Sequence, residues 1–415
     1  MNLLLLTQVY PDEIGCETLR SSSVCHYWTK EWVKEGHDVT VVYFYPNYHP
    51  VFHWIASLCP HFIAQFTNAT LPQKQKKIVE YKKDGVKIFK IPMYKLFPKT
   101  RYSNKNIRKV VNNTLGYIKE KQICIDIIFS HFDNPILEIA GKCKDALDVP
   151  LSFVLHGYAK DIKRLYPNSY EELINKVDAW GYRSIAIKRD FDNYYGCRNN
   201  FFICYSGVPD KYISSVGNNL NKEKGKICYV GALVKRKYPE KILTGLLPFL
   251  KSGNFTLCYI GVGALEKVIS RLAGRYNISK VIKLLGYIDR DAVQKELATA
   301  EYFVMISRHE TFGMVYLEAM AHGCITIASR NEGFDGIIKH GENGFLCEAG
   351  NAEDLYRVMC YIDALSDEEK NCIKMKAIET SRCFTESIVA RQYLKDVLSI
   401  INDGCNKHKG KTLCC

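Results

Sequence analysis

The chain has 415 residues, of which 47% are hydrophobic and 24% charged, and its formal net charge is +13. This composition excludes a disordered or fibrous chain, and the length exceeds the roughly 250–300 residues at which a single hydrophobic core stops growing, so two domains are expected. No run approaches the ~20 apolar residues of a membrane-spanning helix. The apolar run Leu3–Leu6 is shorter than the core of a secretory signal peptide, and it predicts a buried first strand.

Short apolar segments alternate with longer amphipathic segments along the whole chain. The first half predicts a helix over Thr18–Glu35, ended at Gly36, and these strands: Leu3–Thr7, Asp38–Phe44, Ile125–Ser130 and Leu151–Leu155. After the polar stretch Ser215–Lys226, the second half predicts further strands: Ile227–Val230, Phe255–Ile260, Val281–Leu285, Tyr302–Ile306 and Ile325–Ala328. Strands that alternate with helices in this way form parallel sheets.

The alternation predicts an α/β protein of two doubly wound, Rossmann-like lobes. We expect an N-terminal domain over 1–214, a C-terminal domain over 226–385 and a linker near 215–225. A last amphipathic helix over 386–402 is expected to pack back on the N-terminal domain. Ligands of such sheets bind at the carboxyl ends of the strands, so the cleft between the lobes is the expected site.

Cysteines and charge narrow the cellular setting and the partners. The 17 cysteines include no C-x-x-C pair, which favours a reducing cytosol over a disulfide framework. From Lys74 to Lys109 there are 13 Lys or Arg residues against two acidic residues, and an apolar segment over 51–66 precedes them. Segment 51–109 is therefore either a docking surface for an anionic membrane or a solvated basic face. No nucleic-acid-binding module is visible, so nucleic acid is not an expected partner.

The most informative motif is Ser307–Gly323, which follows a predicted strand and opens a helix near Phe312. Two carboxylates, Glu310 and Glu318, lie eight residues apart, one before the helix and one inside it. The first backbone N–H groups of the helix form an anion site, near these residues: Gly313, Met314 and Val315. Gly313 lets a ligand approach the backbone closely.

This stretch resembles glycosyltransferase family 4, a group of retaining enzymes with the two-lobed GT-B fold. The family has two glutamates separated by seven residues in the setting E-x-F-G-x-x-x-x-E-A-x-A-x-G, and the matching positions here are these: Glu310, Phe312, Gly313, Glu318, Ala319, Ala321 and Gly323. The resemblance implies that Glu310 faces the donor sugar and that Glu318 holds the ribose hydroxyls of the nucleotide. Both roles suit carboxylates, which accept strong hydrogen bonds from hydroxyl groups.

A basic loop after the first strand of the second lobe matches the family less completely. The family carries G-R-L there and a lysine five residues after the arginine, and the two cations neutralise the departing diphosphate. Lys237 matches the lysine, whereas Ala232 replaces the arginine. Lys235 or Arg236 is a candidate substitute, and a solvated turn is the alternative interpretation. Further along, Gly261 and Gly263 match a family G-x-G expected to line the nucleotide pocket. A tight strand-to-helix turn, or half of a dinucleotide fingerprint that lacks its third glycine, explains them equally well.

Three residues of the first lobe are candidates by the same resemblance. Gly15 and Arg20 follow the first strand, where the family loop contacts the donor phosphates or the acceptor. His156 ends the strand Leu151–Leu155, and the family histidine at this place approaches the donor sugar. The triplet Asp289-Arg290-Asp291 predicts a helix N-cap, and neither a metal nor a cofactor is expected.

Together these observations predict a retaining glycosyltransferase that moves a hexose-type sugar from a nucleotide-diphospho-sugar to a glycan or lipid-linked acceptor. Surface polysaccharide or glycoconjugate synthesis is the expected setting, in the cytoplasm or on the inner face of the cytoplasmic membrane. Catalysis is expected from Glu310, Lys237 and His156. Two alternatives stay open: a non-catalytic nucleotide-sugar-binding subunit, favoured by Ala232, and a nucleotide-sugar epimerase of GT-B shape.

Overall fold

The computed structural model describes residues 1–11, 24–48, 51, 54, 77–95, 100–214 and 222–411, with side chains as far as residue 403. The chain divides into two compact units. Unit 1 comprises Met1–Arg183, Ile187–Cys204 and Val389–Cys415, and unit 2 comprises Ser184–Ala186 and Tyr205–Ile388. Among the described residues, no helix has the length and apolar character needed to cross a membrane.

Unit 1 is built on an eight-stranded sheet with the strand order β3-β4-β2-β1-β5-β6-β7-β8. Its strands are β1 (Asn2–Thr7), β2 (Asp38–Tyr48), β3 (Val79–Lys83), β4 (Val86–Lys95), β5 (Ile127–His131), β6 (Leu151–Leu155), β7 (Ala179–Tyr182) and β8 (Phe201–Ile203). All neighbouring strands are parallel except β3 and β4, which form an antiparallel hairpin. Residues Leu3–Leu6 of β1 are fully buried on both faces of the sheet, as expected where helices cover both sides.

The helices of unit 1 connect successive strands and cover the sheet. They are α1 (Val24–Lys34), α2 (Asn104–Glu120), α3 (Ile136–Leu147), α4 (Lys160–Leu165), α5 (Tyr170–Asn175) and α6 (Ile185–Tyr195). From Val389 onward the C-terminal helix, Glu386–Lys411, also belongs to this unit. The indole Nε1 of Trp32 donates a hydrogen bond to the carbonyl of Ala390 (2.9 Å), and the ring of Tyr393 packs on Trp28, Trp32 and Phe129.

Unit 2 is built on six parallel strands in the order β11-β10-β9-β12-β13-β14. These are β9 (Glu223–Val230), β10 (Thr256–Ile260), β11 (Ile282–Gly286), β12 (Ala300–Val304), β13 (Ile325–Ser329) and β14 (Phe345–Cys347). Counted within the unit, the order is 3-2-1-4-5-6, the doubly wound arrangement of dinucleotide-binding sheets. The winding direction reverses between β9 and β12, and ligands of such sheets bind beyond the carboxyl ends of the strands at this point.

The helices of unit 2 are α7 (Asp210–Ser214), α8 (Pro239–Gly245), α9 (Leu247–Lys251), α10 (Glu266–Arg275), α11 (Arg290–Thr299), α12 (Met314–Ala321), α13 (Ala352–Ala364) and α14 (Asp367–Arg382); α15 (Glu386–Lys411) begins here and continues into unit 1. The predicted α/β architecture of two doubly wound lobes is confirmed.

Element boundaries differ from the sequence predictions where polar residues are paired. Strand β9 begins at Glu223, so the end of the stretch Ser215–Lys226 is strand, and residues 215–221 lie outside the described part. The ammonium of Lys226 contacts carboxylates of Glu223 (3.0 Å) and Glu296 (3.1 Å), which lets a charged residue occupy a buried strand position. The predicted start of the first helix, 18–23, also lies outside the described residues.

Candidate functional site

Two loops flank the point in unit 2 where the winding direction reverses. One follows β9 and runs from Gly231 to a short 3-10 turn at Lys235–Lys237, and the other follows β12 and runs from Met305 to Gly313. The amide of Arg308 donates to the carbonyl of Arg236 (2.7 Å), which joins the loops directly. The basic loop and the loop that carries the first glutamate of the sequence motif are therefore neighbours at this end of the sheet.

Glu310 lies at the centre of a charged cluster. Its Oε2 lies 3.5 Å from Nζ of Lys237, 3.6 Å from Nη1 of Arg236 and 3.3 Å from Oγ of Ser307. The backbone of Glu310 is fixed as well, because its amide donates to the carboxylate of Glu332 (2.9 Å) and its carbonyl accepts from the amide of Gly333 (2.8 Å). The structure thus holds a carboxylate between two cations.

Lys237 is the more enclosed of the two cations, with 12% of its side chain exposed against 46% for Arg236. Burial lowers the pKa of the Lys237 ammonium, and the Glu310 carboxylate opposes that shift. A Cβ on Gly231 would lie 2.9 Å from Nζ of Lys237, so a glycine at this place leaves room for the lysine. An enclosed cation of this kind stabilises negative charge more strongly than an exposed one.

Helix α12 begins beside this cluster. Its N-cap, Gly313, has φ 87° and ψ 68°, a left-handed conformation that favours glycine, and a Cβ there would lie 2.5 Å from the ring of Tyr316. The first intrahelical bond runs from the amide of Tyr316 to the carbonyl of Gly313 (3.0 Å). The amides of Met314 and Val315 precede this bond and have no partner within the helix, so they can donate to a bound ligand. An anion bound there would also meet the positive end of the helix dipole.

Phe312, predicted to bind substrate, is 2% exposed. Its ring packs against Tyr205 and Phe334 at centroid distances of 6.0 and 5.6 Å. In this structure the side chain therefore anchors the loop in the core of unit 2. A contact between Phe312 and substrate stays a prediction.

Glu318 is held by a second network. Its Oε1 pairs with Nη2 of Arg290 (3.0 Å), and its Oε2 accepts from Nε2 of Gln294 (3.3 Å), whose Oε1 lies 2.6 Å from Nε2 of His322. The side chain of Glu318 is 11% exposed. Burial raises the pKa of Glu318, and Arg290 opposes that shift. The Arg290 contact therefore favours the ionised carboxylate, which is the better acceptor for hydroxyl groups.

Arg290 comes from the triplet Asp289-Arg290-Asp291, for which the sequence predicted a helix N-cap. Asp289 caps α11, since its carboxylate accepts from the amide of Ala292 (2.8 Å), and that prediction is confirmed. Arg290 itself had no predicted role. The sequence shows only an arginine at the first position of a predicted helix, and its pairing with Glu318 becomes visible in the tertiary structure.

Gly261 and Gly263 have a clear steric reason. Gly261 has φ 134°, and a Cβ on it would lie 2.1 Å from the carbonyl oxygen of Gly231, whereas a Cβ on Gly263 would lie 2.4 Å from that of Leu233. The turn after β10 thus packs backbone to backbone against the turn after β9. Nucleotide binding by these glycines stays a prediction.

In unit 1, His156 follows β6 and is half-buried. Its Nε2 lies 2.9 Å from Nδ1 of His131, the last residue of β5, and its ring stacks on Phe132 with a centroid distance of 4.0 Å. Burial, then the charge of Arg183 and the neighbouring His131, hold the pKa of His156 well below its ordinary value. His131 is not predictable from the sequence, because nothing in its local pattern distinguishes it from a core histidine.

Some predicted residues fall outside the described part of the chain. These are Gly15, Arg20 and most of the apolar segment that precedes the basic cluster. Ala232 is described, and it is exposed in the turn after β9, where its carbonyl accepts from the hydroxyl of Tyr229 (2.8 Å). Because the side chain of Ala232 is uncharged, Arg236 and Lys237 are the cations that this loop brings to Glu310.

Among the described residues, one group of metal-ligand atoms occurs elsewhere in unit 2. Cys228, Cys258 and Glu296 place their ligand atoms within 4.8 Å of one another. Lys226 already contacts the carboxylate of Glu296 (3.1 Å), so a cation competes for that ligand. The group shares no residue with the predicted site, and the expectation of no metal stays a prediction.

Unit 2 also contains a cavity of about 690 Å³ at the amino ends of β9 and β12, lined by Gly225, Phe249, Glu301 and Tyr356 among others. It lies at the end of the sheet opposite to the charged cluster. Because open α/β sheets bind ligands at the carboxyl ends of their strands, the charged cluster is the better candidate in spite of this cavity.

Comparison with known proteins agrees with the geometry. The sequence profile described as "Glycosyl transferases group 1" matches residues 211–378. An uncharacterized glycosyltransferase of Methanocaldococcus jannaschii is 30% identical over 251 residues, covering 59% of this chain and 67% of that protein. The amylovoran biosynthesis glycosyltransferase AmsK of Erwinia amylovora is 22% identical over 438 residues, covering 96% and 99%.

A solved structure of similar fold is that of Anabaena HepE in complex with UDP, with a TM-score of 0.66 and 16% identity over 96% of this chain and 100% of that one. This likeness concerns the fold. With it, the GT-B fold class predicted from the sequence is confirmed for both doubly wound lobes.

Proposed function

The chain belongs to the glycosyl transferases group 1 family and is a glycosyltransferase, and from that premise we propose that it moves a hexose-type sugar from a nucleotide-diphospho-sugar to its acceptor with retention of configuration. The observation that carries the proposal is the cluster of Glu310, Lys237 and Arg236 beside the free amides at the start of α12. It combines a carboxylate for sugar hydroxyls with cations and amides for a diphosphate.

The diphosphate is proposed to lie against Lys237, Arg236 and the amides of Met314 and Val315. Negative charge grows on the phosphate oxygen as the bond to the sugar breaks. Enclosed cations and fixed amides aimed at that oxygen stabilise the transition state more than the ground state, which is how they accelerate the reaction. The bound UDP in the HepE structure supports a nucleotide ligand for a protein of this fold.

The remaining contacts are assigned to the sugar and the nucleotide ribose. Glu318 is proposed to accept from the ribose hydroxyls, with its carboxylate kept ionised by Arg290. Glu310 and His156 are the proposed contacts to the sugar. In the reaction, the bond from the anomeric carbon to the phosphate oxygen breaks, and a bond to the acceptor oxygen forms on the same face. The acceptor hydroxyl proton passes to the departing phosphate oxygen.

Ala232 is the observation that favours a second candidate, a subunit that binds nucleotide-sugar without turning it over. Arg236 argues against this candidate, because its guanidinium reaches Glu310 (3.6 Å) from the same loop. We assign Arg236 as the second cation, in place of the arginine that the family carries at position 232. An epimerase of the same shape would convert the donor with no acceptor present, so product analysis separates it from a transferase.

The acceptor is proposed to be a glycan or a lipid-linked glycan in surface polysaccharide synthesis. The amylovoran biosynthesis enzyme, which aligns with nearly the whole chain, supports this setting. The basic segment 74–109 supports contact with the inner face of the cytoplasmic membrane. Co-sedimentation with phosphatidylglycerol vesicles at low salt tests the contact, and the same recovery with neutral vesicles would remove that support.

Calorimetric titration with UDP, GDP and ADP tests the donor site. We expect one nucleotide to bind, and we expect Glu318→Ala and Lys237→Ala each to weaken that binding by about 10–100-fold, as loss of a charge-assisted hydrogen bond does. Lys241→Ala, an exposed lysine on α8, is the matched control and should leave the affinity unchanged. Folded protein that binds none of the three nucleotides would contradict the proposal.

A further inference from the structure

We propose that His131 and Tyr393 are positioning residues that hold His156 in the Nδ1–H tautomer, so that His156 presents a hydrogen-bond donor to its substrate. The inference deepens the proposed function, on which it rests for the identity of that substrate. It also brings the C-terminal helix α15 into the site, through a residue that the family motif does not contain.

The three side chains form a continuous line of hydrogen-bonding atoms within unit 1. The Tyr393 hydroxyl lies 3.2 Å from Nε2 of His131, and Nδ1 of His131 lies 2.9 Å from Nε2 of His156. Tyr393 is 2% exposed and His131 is fully buried, so water does not compete at the inner end of the line. Both nitrogens of His131 are therefore engaged, and its tautomer determines that of His156.

The direction of the line follows from the strengths of its donors and acceptors. A phenol O–H is a stronger donor than a neutral imidazole N–H, and an imidazole nitrogen is a stronger acceptor than a phenol oxygen. The Ser152 hydroxyl also interacts with Tyr393, and it can donate to the Tyr393 oxygen while the phenol proton goes to the stronger acceptor, Nε2 of His131. This places the proton of His131 on Nδ1. That N–H donates to Nε2 of His156, and the proton of His156 is left on Nδ1.

The surroundings keep both histidines neutral, as this arrangement requires. Burial, and then the charge of Arg183, hold the pKa of His131 well below its ordinary value, and the pKa of His156 is lowered in the same way. A neutral His156 cannot donate from both nitrogens. With Nε2 occupied by His131, only Nδ1–H is available to a ligand.

Aromatic contacts fix the two rings in place. The His131 ring stacks on Trp28 with a centroid distance of 4.7 Å, and the His156 ring stacks on Phe132 at 4.0 Å. Phe132 has φ 73°, a left-handed conformation that is uncommon for a residue with a large side chain. Such strain persists where the surroundings require it, and here it places the Phe132 ring on His156.

The tautomer of His156 determines what this residue can do in the reaction. A neutral Nδ1–H donates to an oxygen lone pair and does not remove a proton. His156 would then orient and polarise a substrate oxygen, and the acceptor proton would leave by way of the phosphate oxygen alone.

Nitrogen NMR of protein labelled with ¹⁵N-histidine tests the inference without turnover, because protonated and bare ring nitrogens have separate chemical shifts. The His156 resonances are identified by their loss in His156→Asn. We expect the Nδ1–H tautomer to dominate at His156. Tyr393→Phe removes one oxygen and should lower the ratio of Nδ1–H to Nε2–H by about 2–12-fold, the bias that one hydrogen bond supplies.

Two further variants distinguish the loss of these hydrogen bonds from a general disturbance of the fold. His131→Phe keeps a ring against Trp28 but removes both nitrogens, and it should abolish the preference that Tyr393→Phe only weakens. Tyr182→Phe is the matched control: Tyr182 is fully buried on the neighbouring strand β7, and its hydroxyl has no hydrogen-bond partner among the described residues. Its spectrum should match wild type.

An Nε2–H tautomer in wild type, or an unchanged ratio in Tyr393→Phe, would overturn the inference. A failure of the proposed function has a different outcome, since a chain that binds no nucleotide would still give the tautomer measurement.

Discussion

In both units the candidate residues lie just beyond the ends of parallel strands, but the residues are charged in unit 2 and neutral in unit 1. Unit 2 concentrates charge: Glu310 lies between Lys237 and Arg236, and Glu318 is paired with Arg290. Unit 1 uses neutral groups: His156 and His131 share a hydrogen bond with pKa values well below the ordinary range. The cationic Arg183 near the two histidines helps to keep them uncharged.

This difference indicates a division of labour. In the proposed reaction, the charged groups act on the diphosphate, where negative charge grows, whereas the neutral donors orient a sugar hydroxyl whose charge hardly changes. Unit 2 should therefore be sensitive to changes of charge, and unit 1 to changes of hydrogen-bond geometry.

The largest effect is expected from Lys237, the enclosed cation. We expect Lys237→Ala to lower kcat by about 10²–10³-fold, because removal of one group that stabilises transition-state charge typically costs that much. Arg236→Ala should cost less, since Arg236 is half exposed to solvent. Initial rates with the nucleotide-sugar identified by calorimetry measure both, with Lys241→Ala as the control. Equal, small losses of kcat in all three variants would show that the charges of Lys237 and Arg236 do not carry the reaction.

A smaller effect is expected from the titration of His322, which contacts Glu318 through Gln294. Burial lowers the pKa of His322 to about 4. His322 takes up a proton near pH 6.5 in the unfolded chain but only near pH 4 in the folded protein. The free energy of unfolding is therefore unaffected by this histidine above pH 6.5, and it decreases as the pH falls below that value. From pH 7 to 5 the loss amounts to about 2 kcal/mol.

His322→Gln keeps a donor for Gln294 and removes the titration. Hydrogen exchange of the α11 and α12 amides at pH 7 and 5, corrected for intrinsic rates, gives the opening free energy of this region. The variant should lack the loss of about 2 kcal/mol. The same pH dependence in wild type and variant would show that His322 is not held neutral in the folded protein.

The smallest effect is expected from Arg290. Without its guanidinium, burial raises the pKa of Glu318 further, so a larger share of the carboxyl is protonated at low pH and accepts ribose hydroxyls poorly. We expect Arg290→Gln to weaken nucleotide binding by about tenfold at pH 6 and by less at pH 8, as loss of a charge-assisted contact does. Arg271→Gln, an exposed arginine on α10, is the control in calorimetry. Tighter binding by Arg290→Gln would mean that Arg290 competes with the ribose.

Much of unit 2 was predictable because its information is local. The spacing of Glu310 and Glu318, the glycine at the start of α12 and the basic loop after β9 all lie in short stretches of sequence. The alternation of apolar and polar segments also identified the parallel strands on both sides of the reversal point. Patterns of this length are sufficient where one strand–loop–helix unit carries the chemistry.

The parts that were missed depend on contacts between distant segments. The interactions of Arg290 with Glu318 and of His131 with Tyr393 join residues 28 and 262 positions apart. The hairpin of β3 and β4 was missed as well, because its many lysines hide the strand pattern, while buried Lys90 lies 4.0 Å from the ring centre of Tyr45. Such residues look like ordinary surface cations or core histidines until the fold brings their partners together.

The donor nucleotide is proposed to bind at the reversal point of the unit 2 sheet, and a hydrogen-exchange footprint can locate it. The protein is saturated in turn with UDP, GDP and ADP, and exchange is followed by mass spectrometry. We expect the nucleotide that binds to slow exchange in segments 231–238 and 307–318. Protection confined to the opposite cavity around 248–256 and 356–363, or to unit 1, would contradict it.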